Sequence, residues 1–589
     1  MSEEIRKVGV VGCGTMGSGI CEIVARNGIE VAFVEVDDAA VARGRDRIDS
    51  SLDRQVTRGK LDEEERDAIA GRIRGSNDFG TLRDCDLVVE AVPEELHLKQ
   101  AAFEKIDAVV RDDTLIATNT SSLPVMDIAV HASRPNRVLG FHFFNPAPVM
   151  KLIELVRTVV TDEGVVSTAR QFAEQIGKSP VVVGDRRGFI ANQLLFPYLN
   201  QAVSMYESGY ATKEDIDAAM RFGAGLPMGP LALVDLVGLD TMVGIMEAIH
   251  SQFGDTRFAP RPILKQLVAA GYRGRKSGRG FYSYEAPGSS KVAADEQGRP
   301  AADPATISPW TTVGVMGTGT MATGITEVCA KAGYDVVVRG RTKEKAEKVA
   351  ANVSRSMQKM VEKGRMSEED MVAALAHVRP THDMADLADC DIVVEAVAED
   401  LAVKKPLFTE LAEVLKPEAV LTTTTSSLPV IECAMATDRP DRVLGLHFFN
   451  PAAIMKLVEI VPTVRTDDEV VEQCRAFVER VEKVGVLCGD QAGFIVNALL
   501  FPYINDAVKM LASHYATSEE IDTALKLGAG YPMGPFQLAD IVGLDVTLAI
   551  IETLYSEFRE PSFEPAPLLR HLVEAGFLGR KAGRGFYTY

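Results

Sequence analysis

The sequence predicts a chain of mixed class, in which an α/β unit is followed by an all-α unit and the pair is written twice. Three observations predict it. At roughly 100–200 residues per domain, 589 residues hold about three to six domains. Shifting the chain by 305 residues lays Gly9 on Gly314 and Tyr284 on Tyr589, with the landmarks between them keeping that offset. Within each copy, short apolar runs first alternate with helical stretches and then give way to helical periodicity alone.

The repeat is strong where it can be counted. Residues 139–157 match residues 444–462 at 13 of 19 positions, and residues 226–240 match 531–545 at 10 of 15. So long a period excludes a solenoid and implies duplication of a whole module. Residues 285–309, rich in Ala, Pro, Gly and Ser, read as a linker. The expected units are therefore 1–187 (α/β), 188–284 (helical), 310–492 (α/β) and 493–589 (helical).

In the first α/β unit the runs KVGVV, EVAFVEV, DLVVEAV, TLIAT, RVLGFHFF, KLIELV and PVVVGD read as strands. Strands alternating with helices imply a mostly parallel sheet covered on both faces. From Gly188 onward GFIANQLLFPYLNQAVSMYESG has helical spacing, with Pro197 expected near a first turn or a kink. Thr212 to Asp215, repeated as Thr517 to Glu520, resembles a capping box at a helix start.

Composition narrows the partners. A net charge of −20 argues against nucleic acid or an anionic membrane as the main ligand, because phosphate backbones demand clustered cations. A phosphorylated small molecule needs only a local positive site. The eight cysteines form no CxxC pair and no Cys/His ligand cluster, so no metal site is expected, and sparse thiols fit a reducing compartment. Met1–Lys7 has no signal-peptide pattern and no run of 18 apolar residues occurs. A cytoplasmic globular protein is expected.

The first motif that carries chemistry is Gly12-Cys-Gly14-Thr-Met16-Gly17, placed between a strand and a helix. Gly12 allows the tight turn, Gly14 lets the backbone approach a pyrophosphate, and Gly17 lets the helix pack on the strand. Free N–H groups of the helix N-terminus then face the anion. Glu35, at the end of the next strand, is placed to accept bonds from ribose hydroxyls. Each α/β unit is thus expected to be a Rossmann-type dinucleotide-binding domain. The second copy repeats the turn as Gly317, Gly319, Met321 and Ala322, but Gly340 stands at the position of Glu35, between Arg339 and Arg341. A glycine leaves space there, Arg341 offers planar donors to a 2′-phosphate, and Lys343 adds charge. NAD is therefore expected in the first copy, and NADP in preference to NAD in the second.

Of nine histidines, only His142 and His447 are separated by the repeat offset. His142 ends one strand and Glu154 lies in the next, so they could face each other across the connection; His447 and Glu459 keep the same spacing. A histidine held by a carboxylate suits a general base in alcohol oxidation. Ser121 follows a strand at the edge where ligands bind in open α/β sheets, although a helix N-cap would explain it equally.

GxGTMG, TNTSSLP, HFFNPAPVMKLIELV, GFIANQLLFPYLNQA, PMGPLALVDLVGLD and GRGFY, in that order, resemble the L-3-hydroxyacyl-CoA dehydrogenase family, and in particular its bacterial 3-hydroxybutyryl-CoA branch. The resemblance covers both copies and leaves out the linker. It implies that His142 is the base and Glu154 its partner, with Ser121, Asn145 and Asn192 around the substrate carbonyl and hydroxyl. It implies nicotinamide-cofactor contacts for Glu94, Lys99 and Lys276, and coenzyme A contacts for Ser51 and Arg58. The second copy matches with Ser426, His447, Asn450, Glu459 and Asn497, with Glu399, Lys404 and Lys581, and with Ser356 and Lys363.

The implied reaction is reversible oxidation of an (S)-3-hydroxyacyl-CoA to the 3-oxoacyl-CoA. The four-carbon 3-hydroxybutyryl ester is the expected substrate, with 3-hydroxyadipyl or longer esters as rivals. A Lys-based β-hydroxyacid dehydrogenase is the competing enzyme class, and the His/Glu pair speaks against it. A non-catalytic role for one copy is the competing non-enzymatic reading. Because the family dimerises through its helical domains, 189–284 and 494–589 are expected to pack together in cis, with higher assembly open.

Overall fold

The computed structural model describes residues 5–293 and 310–589; residues 1–4 and linker residues 294–309 lie outside the described residues. Each copy begins with an eight-stranded sheet. In the first the strands are β1 (Lys7–Val11), β2 (Glu30–Val34), β3 (Ile73–Ser76), β4 (Leu87–Glu90), β5 (Leu115–Thr118), β6 (Val138–Phe143), β7 (Leu152–Arg157) and β8 (Ser179–Gly184). The second contains β9 (Thr312–Met316), β10 (Asp335–Arg339), β11 (Val378–Thr381), β12 (Ile392–Glu395), β13 (Val420–Thr423), β14 (Val443–Phe448), β15 (Leu457–Pro462) and β16 (Val484–Leu487). Spatial order is 3-2-1-4-5-6-7-8 in the first sheet and its counterpart in the second.

All neighbours pair in parallel except β6 with β7 and β14 with β15. Strands β4, β5 and β6 are wholly buried, as the continuous apolar runs require of a sheet covered on both faces. The strand that the apolar runs did not signal is β3, whose sequence IRGS leaves two of four residues exposed at the sheet edge. Strand β2 stops at Val34, so Glu35 lies just beyond it.

The helical unit starts with the helix Ala191–Glu207, repeated as Val496–Ala512. Pro197 is its seventh residue, so the expectation of a first-turn position is corrected: buried surroundings hold this proline in the helix interior. Thr212 caps Lys213–Gly223 by accepting from the Asp215 N–H, and Thr517 and Glu520 complete a reciprocal box on Ser518–Gly528. One buried carboxylate closes each helical unit. Asp235 accepts from the Phe281 and Tyr282 N–H groups and the Tyr284 hydroxyl, and Asp540 does the same for Phe586, Tyr587 and Tyr589. The GRGFY block therefore works as a structural clasp.

The two helical units share one hydrophobic core, to which Leu194, Leu199, Val203, Leu499, Ile504 and Val508 contribute. Ala191–Glu207 lies against Val496–Ala512, with the Tyr198 and Tyr503 rings 6.0 Å apart. Lys213–Gly223 also packs on β15 and β16, and Ser518–Gly528 on β7 and β8, so each helical unit touches the other copy's sheet. At roughly 1.5–3 kcal/mol for each large side chain removed from water, this shared face is a major part of what holds both copies.

Candidate active site

In each copy the glycine turn, the segment after β5 or β13 and the His–Glu pair gather at the C-terminal end of the parallel strands. Gly12 has φ +91°, and a Cβ there would meet the Ala91 carbonyl at 2.8 Å. A Cβ on Gly17 would lie 1.8 Å from the Gly12 carbonyl oxygen, so the helix Thr15–Arg26 could not close on the turn without that glycine. Nothing lies within 4 Å of a Cβ added to Gly14 or Gly319. No side chain caps the helix that starts there in either copy. An open glycine cradle below uncapped N–H groups fits a dinucleotide pyrophosphate. Met16 and Met321 sit in the first helical turn and pack on the sheet core, while Ala322 is buried where Gly17 is.

His142 and Glu154 are direct partners across the antiparallel β6–β7 pair, as are His447 and Glu459 across β14–β15. In both copies the imidazole Nδ1 lies 2.7 Å from carboxylate Oε2. The other carboxylate oxygen accepts two N–H groups at the start of the long helix, Ile190 and Ala191 at 3.0 Å for Glu154, and Ile495 and Val496 at 3.0 and 2.9 Å for Glu459. Each glutamate is fully buried and tied to two backbone N–H groups and the imidazole, an arrangement that favours the tautomer with its proton on Nδ1. Phe189 and Phe494, both at φ 49°, hold strained backbone conformations that bring their rings within 5.4 and 5.6 Å of the two imidazoles.

Glu94 organises the turn after β5. Its Oε1 accepts the Thr120 hydroxyl at 2.7 Å and the Ser121 and Ser122 N–H groups at 2.8 and 2.9 Å, with the Ser121 hydroxyl at 3.2 Å. Burial pushes the Glu94 pKa up, but the charge of Lys99 and these donors outweigh it and hold the carboxyl below its usual range. Glu399 does the same for Thr425 and Ser426. Asn497 donates from Nδ2 to the Ser426 carbonyl at 3.3 Å; Asn192 occupies the same helix position.

Lys99 is held by two carboxylates. It is 1% exposed, and its ammonium lies 3.0 Å from Glu90 and 3.4 Å from Glu94. Lys404 repeats this with Glu395 at 2.8 Å and Glu399 at 3.5 Å. A buried ammonium requires this neutralisation, which ties each lysine to the glutamate that organises the serine turn. Glu90 and Glu395 escaped the motif reading, although both sit at the repeat offset beside Thr118 and Thr423, whose hydroxyls bond to them at 2.7 Å. Lys276 and Lys581 pair with Asp240 and Asp545 within their own helical units.

Ser51, Arg58 and Asn145 line one cleft of about 580 Å³, together with Ser18, Arg54 and Val149. Its floor is held by Lys178, which donates to the Ala147 and Met150 carbonyls at 2.5 and 2.7 Å. Ser356 lies on the helix Lys343–Glu362 and Lys363 ends it, in the places of Ser51 and Arg58; Asn450 is exposed after β14.

The adenosine ends of the two copies differ. Glu35 Oε1 accepts the Cys13 N–H at 2.6 Å, closing the acid onto the glycine turn. In the second copy a cleft of about 640 Å³ is lined by Gly317, Gly319, Arg339, Gly340, Arg341 and Lys345. Gly340 does not leave space, contrary to expectation: a Cβ there would lie 2.8 Å from the Ala346 N–H, because the following turn closes directly onto it. The open volume lies instead beside Arg341 and Lys345. Lys343, expected at the site, pairs with Glu347 at 3.9 Å.

Fold, glycine cradle and buried His–Glu pair together define a nucleotide-dependent dehydrogenase built twice in one chain. The model of the 3-hydroxyacyl-CoA dehydrogenase NAD-binding domain matches residues 7–186 and 312–491, and that of the family's C-terminal domain matches 188–284 and 493–589. The chain belongs to the 3-hydroxyacyl-CoA dehydrogenase family, as a tandem duplication that uses NAD(P). It is 49% identical over 286 residues to a 3-hydroxybutyryl-CoA dehydrogenase of Mycobacterium tuberculosis, covering 48% of this chain and all of that one. It is 29% identical over 580 residues to the 3-hydroxyadipyl-CoA dehydrogenase of Escherichia coli, covering 98% and 100%. A crystal structure of 3-hydroxybutyryl-CoA dehydrogenase from Escherichia coli superposes with a TM-score of 0.71 at 28% identity, over 98% of this chain and 100% of that one. Among the described residues no helix is long and apolar enough to cross a membrane.

Proposed function

We propose that both copies interconvert (S)-3-hydroxyacyl-CoA and 3-oxoacyl-CoA, with 3-hydroxybutyryl-CoA and acetoacetyl-CoA as the main pair. The observation that carries this reading is the His–Glu pair built twice with the same geometry. In the oxidative direction Nε2 of His142 takes the hydroxyl proton, and Glu154 stabilises the imidazolium that results. Bound nicotinamide supplies the hydride acceptor, or the donor in reduction. Ser121, Asn145 and Asn192 orient the reacting carbonyl, and Ser51 and Arg58 hold coenzyme A; their counterparts serve the second copy. The full-length likeness to a 3-hydroxyadipyl-CoA dehydrogenase supports a six-carbon diacid ester as the second reading. Rates with acetoacetyl-CoA, 3-oxoadipyl-CoA and longer 3-oxoacyl esters decide between them, and a clear preference for 3-oxoadipyl-CoA would overturn the four-carbon assignment.

NAD serves the first copy in this reading and NADP the second. Supporting it, Arg339, Arg341 and Lys345 line the second cleft with one carboxylate, Glu410, whereas Glu35 would repel a 2′-phosphate of roughly −1.5 to −2 charges in the first. The shared helical core supports a pseudo-dimer in cis, and the eight buried free thiols fit a reducing, cytoplasmic setting.

A further inference from the structure

Each His–Glu pair is backed by the helical unit of the opposite copy. The His142 ring lies 4.5 Å from the ring of Phe144. Phe144 in turn meets the last turn of Ser518–Gly528: a Cβ added to Gly528 would come within 3.3 Å of the Phe144 ring and 2.9 Å of Leu152. The second site repeats this. His447 lies 4.4 Å from Phe449, and a Cβ on Gly223 would reach Leu457 at 2.6 Å, Val496 at 2.8 Å and Phe449 at 3.5 Å. Val496 is the residue whose N–H donates to Glu459.

A second bridge crosses beside the first. The Tyr515 hydroxyl donates to the Gly184 carbonyl at 2.8 Å, and the Arg186 guanidinium lies over the Tyr515 ring at 4.6 Å. Between those residues, Asp185 accepts the Val125 and Met126 N–H groups at 2.8 and 2.7 Å, anchoring the segment that follows Ser121. Reciprocally, Tyr210 donates to the Gly489 carbonyl at 2.8 Å, and Asp490 accepts from Val430 and Ile431 at 2.9 and 2.8 Å.

We propose that each helical unit is a positioning element for the other copy's His–Glu pair, so that the two active sites are completed across the duplication. Gly528 and Tyr515 serve the first site, Gly223 and Tyr210 the second. The inference rests on the reading of His142 and His447 as bases. Its physical ground is that interiors are close-packed and transmit displacement, while a proton-transferring base tolerates misplacement of only a fraction of an ångström. A glycine at the helix end lets the opposite copy approach until the aromatic wall of the base is fixed from behind.

The test uses the full chain in two backgrounds, with acetoacetyl-CoA and saturating NADH and NADPH together. His447→Ala leaves the first site as the reporter, and His142→Ala the second. Gly528→Val should lower kcat of the first site roughly ten-fold or more, leave KM for the nucleotide within about two-fold, and move the pH–rate limb of the base. In the His142→Ala background the same substitution should leave kcat within about two-fold. Gly223→Val should give the reverse pattern. Tyr515→Phe, which adds no bulk and keeps the fold accessible if Gly528→Val does not, should slow only the first site. Equal slowing of both sites, or of neither, would overturn the proposal. Wild-type turnover by the double variant His142→Ala, His447→Ala would instead sink the reading of the bases.

Discussion

The catalytic end and the adenosine end of the two copies have diverged to very different degrees. At the catalytic end His142–Glu154 and His447–Glu459 share register, distance and the two N–H groups that anchor each glutamate. At the adenosine end, Glu35 bonded to the Cys13 N–H has become Gly340 beside a cleft lined by Arg339, Arg341 and Lys345. A buried carboxylate with three donors has no tolerated substitute, since losing it strands those donors and the imidazole. The residue after the second strand carries no such set of donors, so its charge can change at less cost to the fold. The duplication therefore keeps the His–Glu geometry constant while the residues at the end of the second strand differ.

The first way to break this comparison is at the end that has not diverged. The double variant His142→Ala, His447→Ala should lose about 10²–10⁴-fold in kcat, as expected of a missing general base, whereas either single variant should retain the other copy's rate. Steady-state rates with each nucleotide check it.

The second sharpens the end that has diverged. His142→Ala should remove mainly NADH oxidation and His447→Ala mainly NADPH oxidation. Arg341→Glu should raise KM for NADPH roughly 10–100-fold, the equivalent of one charge-assisted bond, with NADH kinetics of the first copy unchanged. An absence of NADPH preference in the His142→Ala protein would remove the difference between the copies.

A third prediction concerns the seam. Arg257 of the first copy pairs with Asp506 of the second, and the repeat offers no mirror image because Ser562 and Gln201 stand at the matching positions. Burial pushes the Asp506 carboxyl up while Arg257 opposes it, so the pair adds little net energy, but without Arg257 the buried Asp506 keeps only the weaker pull of Lys509. Arg257→Ala should cost about 1–3 kcal/mol in denaturant unfolding. Gln201→Ala, at the mirror position, should cost less.

The smallest effect is a pH dependence that both copies share. Burial lowers the Lys178 pKa from its ordinary 10.5 to about 8, and it lowers Lys483 in the same way. The unfolded chain then binds more protons than the folded one between about pH 8 and 10.5, so this lysine's contribution makes stability rise with pH across that window and level off above it. Lys178→Met should flatten part of the rise measured by urea unfolding at pH 7.5 and 10, and Lys483→Met a further part.

Much of this molecule was legible in the chain. Strand–glycine–helix spacing, the 305-residue offset and the fact that, of the histidines, only His142 and His447 obey it specify the sheets, the duplication and the two His–Glu pairs. Local pattern suffices for these because helix and strand periodicities follow from backbone geometry and a glycine turn from sterics. The same offset would also have exposed Glu90 with Lys99 and Glu395 with Lys404, but a carboxylate inside an apolar strand reads locally as a lone charge. Only the fold, which buries it, shows that it needs a cation.

Other features belong to tertiary structure alone. Strand β3 is too short and too exposed to signal itself and forms because the edge of β2 is open to it. The space beside Gly340 is set by where the next helix begins, which a residue's own size does not reveal. The contacts of Gly528 with Phe144 and of Tyr515 with Gly184 join residues more than 300 positions apart. Nothing in either segment specifies its partner; it is the packing of two helical units into one core that brings them together.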